Sequence, residues 1–236
     1  MTKLLLLSNS TMPGTSFFTW PKIHVQEFLG TSAQEVAFIP YAAVNLSFDA
    51  YSDLITKALE PLGYRVKSVH SVNNKRELVK KADAILVGGG NTFALVSRMY
   101  EEGLMKLVQS EVNAGKPYIG WSAGANLACP TLKTTNDMPV VMPKSFDALN
   151  LIPFQINPHY HELKFQNQGG ETRRERLEEF LIMNPDRKVI GLPEGMLISR
   201  SGDSLKIIGD GAAKLFESGK PVKDLRGGMD IGFLLN

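Results

Sequence analysis

Short apolar runs of strand length recur along the first two-thirds of the chain: Leu4–Leu7, Val36–Ile39, Arg65–Val69, Ala84–Val87 and Tyr118–Trp121. Between them lie stretches with helical spacing of apolar residues, clearest over Tyr51–Leu62 and Thr92–Val112. A break is expected at Gly103, and Gly115 with Pro117 closes the second stretch. This succession predicts an α/β fold with a mostly parallel sheet and helices on both faces. The last third reads differently. Met196–Arg200 and Leu205–Gly209, joined through Ser-Gly-Asp, predict an antiparallel hairpin, and Gly211–Glu217 is expected to add a third antiparallel strand to it. No repeat or linker interrupts the pattern, so a single domain over residues 1–236 is expected. Sites in such sheets lie beyond the carboxyl ends of strands, which would gather Ser8–Thr11, Gly88–Asn91 and Ser122 on one rim.

Composition narrows the function classes. Twenty-six basic against 24 acidic residues leave a net charge of +2, with no electrostatic footprint for nucleic acid. No run approaches the ~18 apolar residues of a membrane span, and Leu4–Leu7 is too short for a signal-peptide core. A cytoplasmic location and no membrane partner are expected. The one cysteine, Cys129, excludes an intrachain disulfide and a cysteine-rich metal site.

Candidate chemistry centres on Gly120-Trp-Ser-Ala-Gly124, which fits the G-x-S-x-G nucleophile elbow. There a strand turns sharply into a helix and lifts a serine hydroxyl, here that of Ser122, above the sheet. The N–H of Ala123 would face a developing oxyanion. A second donor is expected from Gly89 or Gly90, in a loop that matches neither the dinucleotide fingerprint nor a P-loop. Asn91 is placed to cap the next helix and stands beside the expected substrate site.

A general base must come from four histidines. His24 and His70 have no special setting and read as structural. His159 and His161 follow a strand-like run in Gln155-Ile-Asn-Pro-His-Tyr-His-Glu162. They could share a metal, but no further ligand motif completes a site. His159 just past a strand end suits a base for Ser122. Two carboxylates compete to orient it. Asp137 would give the chain order Ser, Asp, His, and Glu194, between Pro193 and Gly195, would give Ser, His, Glu.

Eight segments together resemble one family: Leu4–Thr11, Val87–Phe93, Tyr118–Pro130, Thr134–Pro139, Phe146–Leu151, Gln155–His159, Gly170–Arg173 and Ile190–Gly195. The chain resembles peptidase E, the α-aspartyl dipeptidases, from near its N-terminus to about Gly195. The resemblance implies a flavodoxin-like fold related to class I glutamine amidotransferases and a serine peptidase with a Ser-His-Glu triad. It also implies a small Asp-X dipeptide as substrate and no cofactor or metal. Ser122, His159 and Glu194 match the triad motifs, and Asp137 lies in another matching motif as the rival third member. Amidotransferase relatives have Cys where this chain has Ser122. Other expectations held beside it are a cyanophycinase-like hydrolase of β-aspartyl-arginine and a catalytically silent ligand-binding protein. A monomer and a homodimer are both compatible.

A site selecting an N-terminal aspartate needs a cation for its side-chain carboxylate, and Arg173 is the candidate. At about 100° per residue it falls on the stripe of Leu177, Phe180 and Leu181. A salt bridge to Glu171 or Glu175 is the alternative use of this arginine. Arg173 and Asn91 are thus the substrate-binding candidates.

Overall fold

Leu4 and Leu6 enter one hydrophobic core, while Leu5 and Leu7 enter another. Successive side chains of a strand point to opposite faces, so a strand covered on both faces must be apolar throughout. That is why the chain opens on a run of leucines. The computed structural model describes residues 1–31, 33–163 and 169–235.

In chain order the elements are β1 (Lys3–Leu7), α1 (Pro21–Leu29), β2 (Glu35–Ile39), α2 (Phe48–Leu59), β3 (Arg65–Ser68), α3 (Lys75–Lys81), β4 (Ala84–Val87), α4 (Thr92–Glu101), α5 (Met105–Asn113), β5 (Tyr118–Trp121) and α6 (Ala123–Leu127). Then follow β6 (Gln155–Pro158), α7 (Arg173–Met183), β7 (Lys188–Leu192), β8 (Leu197–Ser201), β9 (Ser204–Ile208), β10 (Ala212–Glu217) and β11 (Lys223–Arg226). The main sheet runs β3-β2-β4-β5-β1-β8-β9. Its first five strands are parallel, and the β8–β9 hairpin joins antiparallel against β1. One face is covered by α1 and α2 through Val25, Leu29, Tyr51 and Ile55. The other is covered by α3 to α6 through Val79, Leu95, Val108 and Leu127. The expected α/β architecture with a mostly parallel sheet is the observed one.

The expected third hairpin strand is corrected. β10 does not pair with β9; it lies in a second sheet of order β11-β10-β7-β6. Gly209 and Gly211 have φ of 119° and 103° and turn the chain off the hairpin before β10 begins. This second sheet packs Ile156, Ile190, Leu192 and Leu215 into the main core. Its other face meets α7, where Val189 and Phe216 touch Leu177 and Leu181. The early part of α2 also differs from expectation: it starts at Phe48 because Ser47 accepts the Ala50 N–H, and its expected end at Leu62 is a short 3₁₀ turn. Among the described residues, no helix is long and apolar enough to cross a membrane.

Candidate active site

The turn from β5 into α6 is shaped by what cannot be there. A Cβ on Gly120 would lie 2.3 Å from the Gly124 carbonyl oxygen, and one on Gly124 would lie 2.2 Å from that of Val87. Between these glycines Ser122 adopts φ 53° and ψ −113°, a conformation costly for any residue with a side chain. Its N–H is tied to the Leu7 carbonyl at 3.0 Å, which fixes the turn against β1. The Ser122 hydroxyl is thereby held half-exposed at the sheet rim.

His159 reaches this rim from the second sheet. It follows β6 with φ 53°, and its N–H donates to Ser8 Oγ at 2.8 Å, which in turn donates to the Leu192 carbonyl at 2.8 Å. Ser8 thus fastens the ends of β1, β6 and β7 together. Its neighbour Asn9 accepts the Gly195 N–H at 3.0 Å and holds the loop that carries Glu194. Sequence reading placed Ser8 and Asn9 in a polar rim loop but missed these positioning roles. With both loops held, His159 Nε2 stands 2.8 Å from Ser122 Oγ and Nδ1 stands 2.6 Å from Glu194 Oε1. Both ring nitrogens are spent on these partners, which leaves neither for the His159–His161 metal pair. Among the described residues, no group of three or more His, Cys, Asp or Glu is arranged to hold a metal.

Asp137 stands elsewhere than the triad alternative requires. Its Oδ2 accepts from the Thr92 N–H at 2.7 Å, the Thr92 hydroxyl at 2.6 Å and the Thr135 hydroxyl at 3.0 Å. It therefore satisfies donors at the start of α4, and Glu194, not Asp137, is the carboxylate at the imidazole. Asn91 is likewise committed. Its side-chain oxygen caps α4 through the Ala94 N–H, and its NH₂ donates to the Met138 carbonyl at 2.9 Å. Both polar groups of the Asn91 side chain are thus engaged within the protein, as the capping reading expects.

Of the two candidate oxyanion glycines, Gly89 is the one beside the nucleophile. A Cβ there would lie 2.9 Å from Ser122 Cβ, so only glycine lets the loop approach so closely. Gly90, with φ 135°, packs instead against Ala42, whose carbonyl oxygen would lie 2.3 Å from an added Cβ. The Ala123 N–H opens α6, where the first turn has no intrahelical acceptor.

A cavity of about 260 Å³ joins Ser122, His159, Thr92, Asp137 and Arg173. A larger one of about 420 Å³ beside Tyr64 and Arg65 holds no such chemistry. Arg173 is the first residue of α7, whose N-terminus is fixed by a capping box between Thr172 and Glu175. Neither expected salt bridge forms: Glu171 lies 3.8 Å from Arg176, and Glu175 is bound to Thr172. Arg173 Nη1 is buried with no hydrogen-bond partner. Burial lowers its pKa, and the charge of Arg176 lowers it further, while Glu194 and Asp137 oppose both. The free Nη1 donor of this cation can be offered to an anionic group of a ligand. His161 stands close by. Burial and Arg173 favour its neutral form, and its Nδ1 is also buried without a partner.

One look-alike is excluded by the same criteria. Ser68 Oγ lies 2.6 Å from His70 Nδ1, and His70 Nε2 lies 2.9 Å from Asp49. Ser68 is only 5% exposed, so this array joins β3 to α2 and meets no substrate.

The sequence matches Peptidase family S51 over residues 4–208. It is 45% identical to a peptidase E of Nostoc sp. over 233 residues, 99% of this chain and 96% of the relative. It is 44% identical to a peptidase E of Actinobacillus pleuropneumoniae serotype 5b over 210 residues, 89% and 90% of the two chains. A crystal structure of a protein provisionally assigned as peptidase E from Listeria monocytogenes EGD-e superposes with a TM-score of 0.67 at 27% identity, covering 89% of this chain and 100% of that one. A peptidase from an acI-B1 Actinobacterium shares the fold with a TM-score of 0.71 at 20% identity, over 98% and 96% of the two chains.

Proposed function

The chain belongs to Peptidase family S51 and is a serine-type dipeptidase, and from that premise we propose that its substrates are dipeptides beginning with aspartate. The observation that carries this reading is the unpaired, buried Nη1 of Arg173 in the cavity of Ser122 and His159. A guanidinium there supplies two parallel donors to a carboxylate, and the burial penalty that Glu194 and Asp137 partly offset is relieved further when such an anion binds. An aspartate side chain carries that anion one methylene from Cα.

In the proposed reaction, His159 carries its proton on Nδ1 towards Glu194 and accepts the Ser122 hydroxyl proton on Nε2. Ser122 Oγ bonds to the carbonyl carbon of the first residue, and the N–H groups of Ala123 and Gly89 face the oxyanion. The imidazolium, stabilised by Glu194, then gives its proton to the leaving amine as the C–N bond breaks. Water, deprotonated by His159, attacks the aspartyl ester, and Ser122 regains its proton as aspartate leaves.

The test is steady-state hydrolysis of Asp-Leu, Asn-Leu, Glu-Leu, β-Asp-Leu and β-Asp-Arg. Asp-Leu should exceed Asn-Leu in kcat/KM on the order of 10²-fold or more, because the uncharged analogue leaves the arginine unpaired. Equal rates on Asp-Leu and Asn-Leu would sink the aspartate reading. Preference for the β-linked substrates would favour the cyanophycinase-like alternative.

A further inference from the structure

The carboxylate of Asp137 is used on one side only. Three donors converge on Oδ2, from Thr92 and Thr135. Oδ1 has no partner among the described residues, although Asp137 lines the cavity of Ser122 and Arg173. Its charge is felt by Arg173, as is that of Glu194. The two carboxylates are not equivalent, because Glu194 is already committed to His159 Nδ1.

A dipeptide brings a second charge besides any side-chain anion. Its α-ammonium sits on the carbon bonded to the scissile carbonyl, about 2.5 Å from the atom under attack. When the carbonyl meets Ser122, that ammonium must enter the same cavity. Burying it unpaired would be costly. Arg173 repels it, and the N–H groups of Ala123 and Gly89 cannot accept from it. Asp137 is the carboxylate lining the cavity that does not orient the base. We infer that Asp137 Oδ1 receives the α-ammonium of the first residue, which makes it a specificity-determining residue rather than a triad member. This rests on Ser122 being the nucleophile, and it adds to the aspartate reading a requirement for a free N-terminus. With Arg173 on one charge and Asp137 on the other, the cavity recognises the zwitterionic head of an N-terminal aspartate. N-blocked peptides and peptides extended at the N-terminus lose the contact.

The experiment compares Asp-Leu with succinyl-Leu, the same molecule without the amine, in the wild-type enzyme and in Asp137→Asn. The asparagine oxygen can still accept from Thr92 and Thr135, while its NH₂ replaces Oδ1. Wild type should favour Asp-Leu by roughly 30- to 5,000-fold in kcat/KM, the range for stranding a buried charge. In Asp137→Asn the loss should be far larger on Asp-Leu than on succinyl-Leu, so that the ratio collapses. Equal losses on both substrates, or an undiminished ratio, would overturn the assignment. Should the variant fail to fold, the wild-type ratio is followed with pH. It should fall tenfold per unit above the pKa of a peptide α-amine, about 7.7–8.0, and a flat ratio would overturn it too. The two readings fail separately. Loss of the Asp-over-Asn preference with the amine effect intact refutes the aspartate reading alone. Loss of the amine effect with that preference intact refutes the role of Asp137 alone.

Discussion

Glu194 Oε1 lies 2.6 Å from His159 Nδ1, across the imidazole from Ser122. A carboxylate there accepts the Nδ1 proton, which keeps Nε2 free to accept from the serine, and it stabilises the imidazolium that forms. Glu194→Gln can offer an NH₂ to Nδ1 and favour the wrong tautomer. It should lower kcat by about 10⁴-fold, as in the best-studied serine triad. The loss should be the same on Asp-Leu and on succinyl-Leu, because the imidazole does not read the amine. Asp137→Asn should cost far less on succinyl-Leu than on Asp-Leu. The reverse pattern in two folded variants, measured as kcat and kcat/KM on both substrates, would return the triad role to Asp137.

Ser122 sits at φ 53° and ψ −113° without being glycine. Such strain costs of order 1–3 kcal/mol, which the surrounding hydrogen bonds must hold. Ser122→Ala and Ser122→Gly should both lose about 10⁶-fold in turnover. Their stabilities should differ in an order opposite to that in a regular element. Glycine relieves the backbone strain, so Ser122→Gly should melt about 2–4 °C above Ser122→Ala for each kcal/mol of net relief. A lower melting temperature for the glycine variant would mean the turn is not strained, and near-normal turnover in either folded variant would exclude Ser122 as nucleophile.

What was legible in the sequence was local. Gly120 and Gly124 are needed within a few residues of Ser122, so the elbow is written as one contiguous pattern. Arg173 was legible through the helical period, since Leu177 and Leu181 are buried on the same stripe. The second sheet was not. The alternation of β10 suits a third hairpin strand as well as it suits pairing with β7, and the choice is made by contacts far away in the chain. Ser8 is illegible for the same reason: its partners His159 and Leu192 lie 151 and 184 residues further on. Two acids fitted the triad spacing, and only the fold could show that Asp137 was occupied by Thr92 while Glu194 was free for the imidazole.

Cys129 follows the nucleophile helix and stands near the active site in sequence, but its chemistry is silent. The thiol is fully buried, and burial pushes its pKa up to about 12 even though it accepts the Ile156 N–H. Without thiolate there is no nucleophile. Native protein should therefore resist a disulfide reagent such as DTNB and keep full activity, with one thiol reacting only after denaturation. Stoichiometric labelling of the native protein with loss of activity would show that the helix after Ser122 opens far more than its packing implies.

Arg173 decides whether the cavity selects charge. Its guanidinium is placed by the capped start of α7, its Nη1 is buried without a partner, and Glu171 and Glu175 are engaged elsewhere. A structural arginine would have its buried donors satisfied by the protein in the absence of ligand, and the Nη1 of this one is not. Methionine has similar length and leaves the stripe of Leu177 and Leu181 packed. Arg173→Met should therefore cost about 2–5 kcal/mol in kcat/KM for Asp-Leu, the usual range for leaving a buried charge unpaired. The substrate carboxylate is the stranded charge in this case, so Asn-Leu, which carries none, should lose far less. The Asp-over-Asn preference should collapse while the preference for a free amine, assigned to Asp137, survives. If both substrates lose equally and the melting temperature falls with them, Arg173 serves the fold and the aspartate side chain is read by another group.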